Sequence, residues 1–213
     1  RDDGTVVAWG DNGAKQATVP TGLTGVKAIA AGGYHSMALK ADGTVIDWGD
    51  EYTRNPPAGL TAKAVSGGGY HALALKADST VVEWGYAGDG SLAIPANLKA
   101  AAVSAGYHYS AALRANGTVA VWAATSVDGK AFLSVPSGLT DVIAISAGRM
   151  HVLAIKKDST VVAWGSNAEG QCTVPANLKA LAVAAGESHS VAIRANGTVV
   201  AWGSNDKGKA TVP

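Results

Sequence analysis

Cysteine, phenylalanine and charged residues are all scarce in this sequence. Among 213 residues there is a single cysteine, Cys172, and a single phenylalanine, and Asp, Glu, Lys and Arg together make up 15%. One cysteine excludes an internal disulfide framework. With a net charge of +1 and few charged residues, the sequence does not resemble the basic stripe of a nucleic-acid-binding surface. No apolar run approaches the roughly 20 residues that span a bilayer. We therefore expect no binding of nucleic acid and no membrane insertion.

What the sequence has instead is a short phrase repeated around each tryptophan. The six tryptophans stand 36 to 42 residues apart, and each lies near the end of a run of the type Gly/Ser-Thr-Val-x-x-Trp. These runs occupy 4–10, 43–49, 79–85, 117–123, 159–165 and 197–203. Self-similarity at a nearly fixed period of some tens of residues indicates a repeat architecture.

Two further phrases recur between the tryptophan phrases. One has the form Gly-x-x-His followed by an apolar run, and it occupies 30–40, 66–76, 104–114, 146–156 and 184–194. In its third copy Tyr109 takes the histidine position and His108 is shifted by one residue. The other phrase ends in Val-Pro or Ile-Pro, at 18–20, 93–95, 134–136, 173–175 and 211–213.

Each phrase has the composition of a short β-strand, because β-branched residues and Trp are enriched and turn residues bound the runs. In the first tryptophan phrase both sides of the strand are apolar, and a strand that is apolar on both sides is covered on both sides. The sequence therefore predicts an all-β fold, a β-propeller with about four short antiparallel strands per blade. A solenoid is the alternative. The residues expected to pack between blades are Leu39, Leu75, Leu113, Ile155 and Ile193.

The turns predict which loops share a face. Asp42-Gly43, Asn116-Gly117 and Asn196-Gly197 are typical of two-residue hairpins, whose central residues favour positive φ. A strand that runs outward reverses at Gly-x-x-His, returns to the Asp-Gly hairpin, and the next strand runs back to the loop after the tryptophan. In a plain meander, the Gly-x-x-His turns and the post-tryptophan loops therefore lie on one face. The hairpins and the proline linkers lie on the other.

Variation among the repeats is concentrated on the first of these faces. The doublets between Gly and His all differ in part, and the post-tryptophan loops differ in sequence and length. Repeats that keep the scaffold and vary one face are typical of a binding surface, and Tyr, Arg and Met are enriched at interfaces. Neutral drift in the loops is the alternative. The residues predicted to contact a ligand are Tyr34, Tyr70, Tyr107, His108, Arg149, Met150, Glu187, Tyr52 and Tyr86.

Four histidines occupy one repeat position, which raises the question of a metal ring: His35, His71, His151 and His189. Zinc needs ligands that converge to about 2 Å of one ion, whereas equivalent residues on different blades stand apart around the axis. We therefore expect each histidine to be a hydrogen bonder that ties its turn to a neighbouring strand. No metal and no cofactor are predicted.

Catalytic motifs are absent from the sequence. It contains no nucleophile elbow, no H-E-x-x-H and no phosphate-binding loop. Cys172 is expected to be a small packing residue. Asp50, Glu51 and Asp89 lack the spacing of a calcium-binding loop and are expected to be solvated. These observations favour a binding protein over an enzyme.

The phrases G-x-x-H-S-x-A-L-K and G-T-V-x-A-W-G, with N-x-x-G-Q-x-T-V-P after a tryptophan (nearest in 166–175), resemble the RCC1-like repeat superfamily. The short unit is closer to its bacterial short-repeat branch, which includes beta-lactamase inhibitor protein II, than to the longer eukaryotic repeats. The resemblance implies a propeller that binds a protein through loops on one face, with aromatic contacts at positions matching Tyr34, Tyr70, Tyr107 and His108. The chain departs from this branch at 149–150 and 187–188, so inhibition of a beta-lactamase is not favoured.

The number of phrases leaves ring closure open. Six tryptophan phrases but only five Gly-x-x-His phrases are present, so the single domain predicted for 1–213 has an orphan half-blade at 1–20 and five units at 21–213. The chain is cut from a longer one, closes as five blades with a displaced strand pair, or donates its orphan strands to a second copy. We favour excision from a longer propeller, or a native start with a lost C-terminal half-blade.

The predicted function is that of a scaffold that binds another protein, located outside the cell or on a bacterial cell surface. A lectin-like or purely structural domain of a larger secreted or surface protein is the alternative, because propellers host many functions.

Overall fold

A computed structural model describes residues 1–53, 55–86, 93–123 and 134–212, and shows five three-stranded antiparallel sheets. We call each sheet a blade and number the blades along the chain. The strands are β1 Val26–Ala31, β2 His35–Lys40, β3 Val45–Gly49, β4 Ala64–Gly67, β5 His71–Leu75, β6 Val81–Gly85, β7 Ala102–Ala105, β8 Tyr109–Leu113, β9 Val119–Ala123, β10 Val142–Ala147, β11 His151–Lys156, β12 Val161–Gly165, β13 Ala182–Ala185, β14 His189–Ile193 and β15 Val199–Gly203.

The predicted propeller meander is confirmed, because each blade pairs its strands in chain order and contacts the next blade. In blade 1, for example, His35 pairs with Gly49 and Leu39 pairs with Val45. The blades contain three strands rather than about four. The Val-Pro phrase forms no ladder in the described ranges, since proline has no N–H to donate. Its apolar residue packs between blades instead, as Ile94, Val135 and Val174 do.

Neighbouring blades pack face to face through apolar clusters of constant composition. Between blades 4 and 5, Leu153 and Ile155 of β11 share a buried cluster with Ala192 and Trp202 of the next blade. The other three interfaces repeat this arrangement. The predicted inter-blade role is thus confirmed for Leu39, Leu75, Leu113 and Ile155, which are almost fully buried. The predicted inter-blade role is wrong for Ile193, because its side chain lies on the uncovered face of blade 5 and is 41% exposed.

The loop after the tryptophan folds around one asparagine and covers the neighbouring blade. Asn167 Oδ1 accepts the N–H of Cys172 at 2.8 Å. The loop then presents the carbonyl of Gln171, which accepts the Trp202 indole N–H at 2.9 Å and the Ser190 hydroxyl at 2.8 Å. The same contacts recur at the other end of the molecule. There Asn12 Oδ1 accepts a loop N–H, and the Gln16 carbonyl accepts the Ser36 hydroxyl and the Trp48 indole N–H.

The orphan tryptophan phrase therefore occupies the position of a third strand next to blade 1. The Val26 N–H donates to the Gly4 carbonyl at 3.1 Å, as the Ala62 N–H donates to Gly43 in the next unit. Residues 5–9 pair in no ladder with the described strands. Trp9 is consequently 85% exposed and Ile29 66%, although their counterparts in other blades are covered.

In the described part of the chain, no helix has the length and apolar character of a membrane-spanning segment.

The repeated histidines bond to a serine on the next blade where one is present. His71 Nε2 lies 2.9 Å from Ser110 Oγ, and His151 Nε2 lies 3.0 Å from Ser190 Oγ. Each serine hydroxyl donates its only hydrogen elsewhere, to Glu83 or to the Gln171 carbonyl, so the histidine is the donor. The predicted structural role is confirmed for these two residues.

His35 differs because the equivalent position on the next blade is Ala72. Both ring nitrogens of His35 are buried, and neither has a hydrogen-bond partner among the described residues. Burial lowers the pKa of His35 to about 4, against a smaller opposing effect of Asp50. Because residue 72 is alanine and not serine, the buried ring N–H of His35 has no acceptor among the described residues. An unpaired buried donor lowers the stability of the fold.

Replacing Ala72 with serine should supply the missing partner. We expect Ala72→Ser to raise the free energy of unfolding by about 1 kcal/mol, the usual net value of an intramolecular hydrogen bond. Urea denaturation of the wild type and the variant measures the change. Ala74→Ser is the matched control, because Ala74 is equally buried in the same cluster but is not at the serine position; it should destabilise. Equal effects of the two substitutions would contradict this assignment.

The free energy of unfolding should decrease as the pH is lowered through the range in which the buried histidines become protonated. Burial lowers the pKa of His35 and of His151 to about 4, below the ordinary 6.5. Because the folded state favours the neutral ring, this stabilisation is complete above pH 6.5 and is lost as the pH falls toward 4. Each pH unit in that window costs at most about 1.4 kcal/mol per histidine. Urea denaturation at pH 7.5, 5.5 and 4.5 tests the prediction.

The turn carboxylates titrate in a different window. Hydrogen bonds from Thr80 and Thr160 lower the pKa values of Asp78 and Asp158 below the ordinary 3.8, so their stabilisation is present above pH 3.8 and is lost only below it. A free energy of unfolding that stays constant from pH 7.5 to 4.5 would show that the histidines do not contribute as described.

Candidate functional site

The Gly-x-x-His turns and the post-tryptophan loops share one face, as predicted. In blades 1, 2, 4 and 5 the residue after the Trp-Gly pair donates its N–H to the carbonyl before the histidine, which joins the two loops of the blade. In blade 1 the Asp50 N–H donates to Tyr34 at 2.9 Å, and in blade 2 the Tyr86 N–H donates to Tyr70 at 2.9 Å. Blades 4 and 5 repeat the contact.

The turns of adjacent blades are also joined to each other by backbone hydrogen bonds. The Gly33 N–H donates to the Gly68 carbonyl at 2.9 Å, and the Arg149 N–H donates to Gly186 at 3.1 Å. A side chain at Gly69 would place its Cβ 2.5 Å from the Tyr107 carbonyl, so this close approach requires glycine. The turns of all five blades consequently converge on one funnel of about 400 Å³.

This convergence brings five aromatic side chains into one cluster, which we call the tyrosine surface: Tyr34, Tyr70, Tyr86, Tyr107 and His108. Tyr70 lies at its centre. Its ring stacks on Tyr34 at 4.9 Å between centroids and on His108 at 5.3 Å, and meets the edge of Tyr107 at 5.3 Å. Offset-stacked and edge-to-face pairs of this kind stabilise each other beyond simple burial.

The phenol groups of three blades form a chain of hydrogen bonds. Tyr107 donates to the Tyr70 oxygen at 3.2 Å, and Tyr70 donates to the Tyr34 oxygen at 3.4 Å. Hydrogen bonding with Tyr107 and Tyr34 raises the pKa of Tyr70. The Tyr70 phenol therefore remains neutral, and the two phenol hydrogen bonds hold the three rings in position relative to one another.

An ion pair extends the surface toward blade 5. The Arg149 guanidinium lies over the Tyr107 ring at 5.1 Å from its centroid and pairs with the Glu187 carboxylate. Two predicted residues lie apart from this contact. Tyr52 stands across a cleft from Tyr70, and no described contact joins the half-buried Met150 side chain to the tyrosine surface. The structure thus brings eight of the nine predicted residues, all except Met150, onto one continuous face.

The cleft beside the tyrosine surface contains one residue, Asp50, whose sequence pattern predicts only a solvated loop position. Its volume is about 570 Å³, and its lining consists of Tyr34, Asp50, Tyr52, Tyr70, Tyr86 and His108. Asp50 Oδ1 accepts the Tyr52 N–H at 2.8 Å, which fixes the carboxylate at the mouth of the loop. Its position directly after Trp48-Gly49 is the signal that could have placed it there, because the residue at that position donates its N–H to the turn in blades 1, 2, 4 and 5.

The buried polar groups and the cysteine are not among the residues that line this cleft. His71, Ser110 and Glu83 form a hydrogen-bonded network, but the Glu83 side chain is only 1% exposed and also accepts the Trp122 indole. Burial raises the pKa of Cys172 to about 11, so its thiol stays protonated. Across the described ranges, no group of three His, Cys, Asp or Glu side chains could hold a metal ion. Asp89 and most of the loops at 86–91 and 124–132 lie outside these ranges.

Comparison with solved structures supports the fold. The ectodomain of the Physcomitrella patens receptor kinase CR4 superposes with a TM-score of 0.77 at 24% identity, over 92% of this chain and 55% of that one. The CRINKLY WD40 ectodomain of the Arabidopsis thaliana receptor kinase ACR4 gives 0.74 at 23% identity, over 92% and 72%. Prp20p from Saccharomyces cerevisiae gives 0.72 at 20% identity, over 87% and 58%. This chain therefore spans little more than half of two of these relatives.

Sequence comparison identifies the repeat itself. No curated protein sequence matches the chain. The family described as the regulator of chromosome condensation (RCC1) repeat matches residues 26–52, 142–171 and 181–209. These segments contain the three strands of blades 1, 4 and 5, including the Gly-x-x-His turn and the tryptophan of each. The repeated phrases, the blades they form and these matches together show that the chain contains RCC1-like repeats.

Proposed function

We propose that this chain is a protein-binding scaffold whose ligand contacts the tyrosine surface. The observation that carries the proposal is the packing of five aromatic rings from three adjacent blades on one accessible face. Tyrosine provides a large contact area with few rotatable bonds, so ordering it on binding costs little entropy. Mutual stacking and the hydrogen-bonded phenols reduce that cost further, since the rings are already positioned.

Similar proteins support a binding role. The solved structure of yeast Prp20p describes its binding to Gsp1p and histones, and two other similar structures are ectodomains of receptor kinases. At these identities the similarity supports the propeller as a scaffold and leaves the partner to experiment. The inhibitor-like function of the bacterial short-repeat branch is the narrower form of the proposal, and titration of a class A beta-lactamase tests it.

We also propose a location outside the cell or on its surface, which is consistent with the ectodomains among the similar structures. Cell fractionation with an antibody to the chain tests this location. Recovery of the chain only with cytoplasmic proteins would overturn it.

Removing the tyrosine surface should abolish partner capture. We expect the triple variant Tyr34→Ala, Tyr70→Ala, Arg149→Ala to weaken binding at least about 100-fold, because central aromatic and arginine anchors each contribute about 2 kcal/mol or more to an interface. The measurement compares the proteins that immobilised wild type and variant capture from the secreted fraction of the source organism, followed by titration of the captured partner.

The control for this experiment lies on the opposite face. Lys63, Lys99 and Lys179 are exposed near the hairpins, and Lys99 and Lys179 follow Pro linkers in equivalent units. Their triple alanine variant removes a similar number of side chains and should bind as the wild type does. Unchanged capture by the tyrosine-surface variant would contradict the proposal, and a glycan array with a strong hit would favour the lectin-like alternative.

Two exposed apolar surfaces, one at each end of the blade series, favour a second interaction, self-association of the chain. In each internal interface the tryptophan of one blade shares an apolar cluster with the Leu, Ile or Val side chains of the preceding blade. Trp9 presents the first half of this interface to solvent, and Ile193 and Val199 of blade 5 present the second half. We propose that a second copy of the chain joins these complementary halves.

Self-association should therefore depend on both ends. We expect light scattering to show assembly that increases with protein concentration, and expect either Trp9→Asp or Ile193→Asp to shift it toward the monomer at least about tenfold in concentration, since a buried charge opposes an apolar contact. Ile143→Asp is the control, because Ile143 is similarly exposed but lies at the start of β10, away from both ends. A monomer at all concentrations, or equal effects of the three substitutions, would contradict the proposal.

A further inference from the structure

The cleft beside the tyrosine surface has walls of aromatic rings on several sides. Tyr34 and Tyr70 are partly buried and stack at 26° to each other. Tyr86 is tilted at 59° to Tyr70 with 6.4 Å between centroids, and Tyr52 faces the same space from the loop after β3. The rings thus surround a space of about 570 Å³ at differing angles rather than forming one flat stack.

The electrostatic character of the cleft is negative. The face of an aromatic ring carries negative charge density and attracts cations within about 6 Å of its centroid. Asp50 adds a full negative charge, and the described residues that line the cleft include no Lys or Arg. The Tyr52 N–H holds one oxygen of Asp50 in place, which leaves the carboxylate oriented by the loop rather than by a basic partner.

The same surface already shows how such a site holds a cation. Arg149 lies over the Tyr107 ring at 5.1 Å, with the Glu187 carboxylate as its counter-charge. One aromatic ring and one carboxylate together bind this guanidinium. The cleft offers four tyrosine rings and one carboxylate in a neighbouring part of the face, and no lysine or arginine is among its described lining residues.

From this geometry we propose that the cleft is an aromatic cage for the cationic side chain of a partner protein, a lysine or arginine that enters between Tyr52 and Tyr86 and points at Asp50. This inference rests on the proposed function and names the chemistry that the tyrosine surface recognises. A compact cation fits a space enclosed by several rings, whereas a sugar stacks on one broad open ring face. The partner's contact segment is therefore basic.

Small cations provide the direct test. The probes are tetramethylammonium and N-acetyl-lysine methylamide, each titrated into the intact chain at pH 8 and followed by tyrosine NMR signals. The alcohol 2,2-dimethylpropanol, a water-soluble and uncharged analogue of similar shape to tetramethylammonium, serves as the comparison. We expect saturable shifts at Tyr52, Tyr70 and Tyr86 for the cations, with at least about fivefold weaker binding of the alcohol.

Two substitutions locate the site. Asp50→Asn keeps an oxygen for the Tyr52 N–H but removes the charge, and Tyr86→Leu removes one wall; each should weaken cation binding at least about fivefold. Asp42→Asn is the matched control, since Asp42 Oδ1 likewise accepts the N–H two residues further on, from Thr44 at 2.9 Å, but lies in a hairpin on the opposite face; it should leave binding unchanged. Equal binding of the alcohol, no binding of either cation, or cation binding that persists in both cleft variants would overturn the proposal.

The two proposals fail separately. If the cage is absent but the surface binds protein, the cations do not bind although the Tyr34, Tyr70, Arg149 variant still loses partner capture. If the surface does not bind protein, the same variant captures partners as before, whatever the cations do. A saccharide that shifts the same tyrosine signals more strongly than either cation would also overturn the cage.

Discussion

The hydrogen bond from one Gly-x-x-His turn to the glycine carbonyl of the next blade is the contact on which the candidate site depends. Gly33 to Gly68 and Gly69 to Gly106 are such bonds, at 2.9 and 3.2 Å. They set the distance between neighbouring turns near the axis, where a Cβ at Gly69 would collide with backbone. Because the residue after this glycine is tyrosine in both blades 1 and 2, the same bonds place Tyr34 and Tyr70 in stacking contact.

The scaffold and the surface follow different physical rules. Between blades, burial of Leu, Ile, Val and Trp provides the stability, and removing one such side chain, Leu73 for example, costs about 2–5 kcal/mol. On the face, the rings are held by stacking, by the phenol chain and by the Arg149–Glu187 pair. The interfaces therefore tolerate little change in volume, whereas the doublets can differ from blade to blade. That division explains why Tyr107-His108 can be followed by Arg149-Met150 at the same position in the next unit.

Much of this was predictable from residue patterns. The direction of the strands through Gly-x-x-His, Asp-Gly and Trp-Gly placed Tyr34 and the post-tryptophan loop of Tyr52 on one face. Strand number was harder to predict, because the Val-Pro phrase has strand composition but lacks a donor at proline. The patterns also could not show that Ile193 belongs to an uncovered face, since its burial depends on a following blade and not on its own strand.

The site shows the same limit at finer scale. Asp50 is of a residue type expected in a solvated loop. The hydrogen bond from its N–H to the Tyr34 carbonyl joins its loop to the neighbouring turn, and this contact places the Asp50 carboxylate in the cleft. Met150 has a residue type that suits an interface, yet its neighbour Arg149 makes the contact with Tyr107. Which of two adjacent doublet side chains contacts the tyrosine surface is decided by the turn conformation, and no sequence periodicity reports it.

The central claim is that one face of the propeller carries the function, and amide hydrogen exchange in the presence of the captured partner tests it most directly. The account predicts slower exchange in segments 32–35, 50–53, 68–71 and 106–109, with no change in the hairpins at 41–44 and 77–80. Protection of the hairpins and linkers, with the Gly-x-x-His turns unaffected, would contradict it.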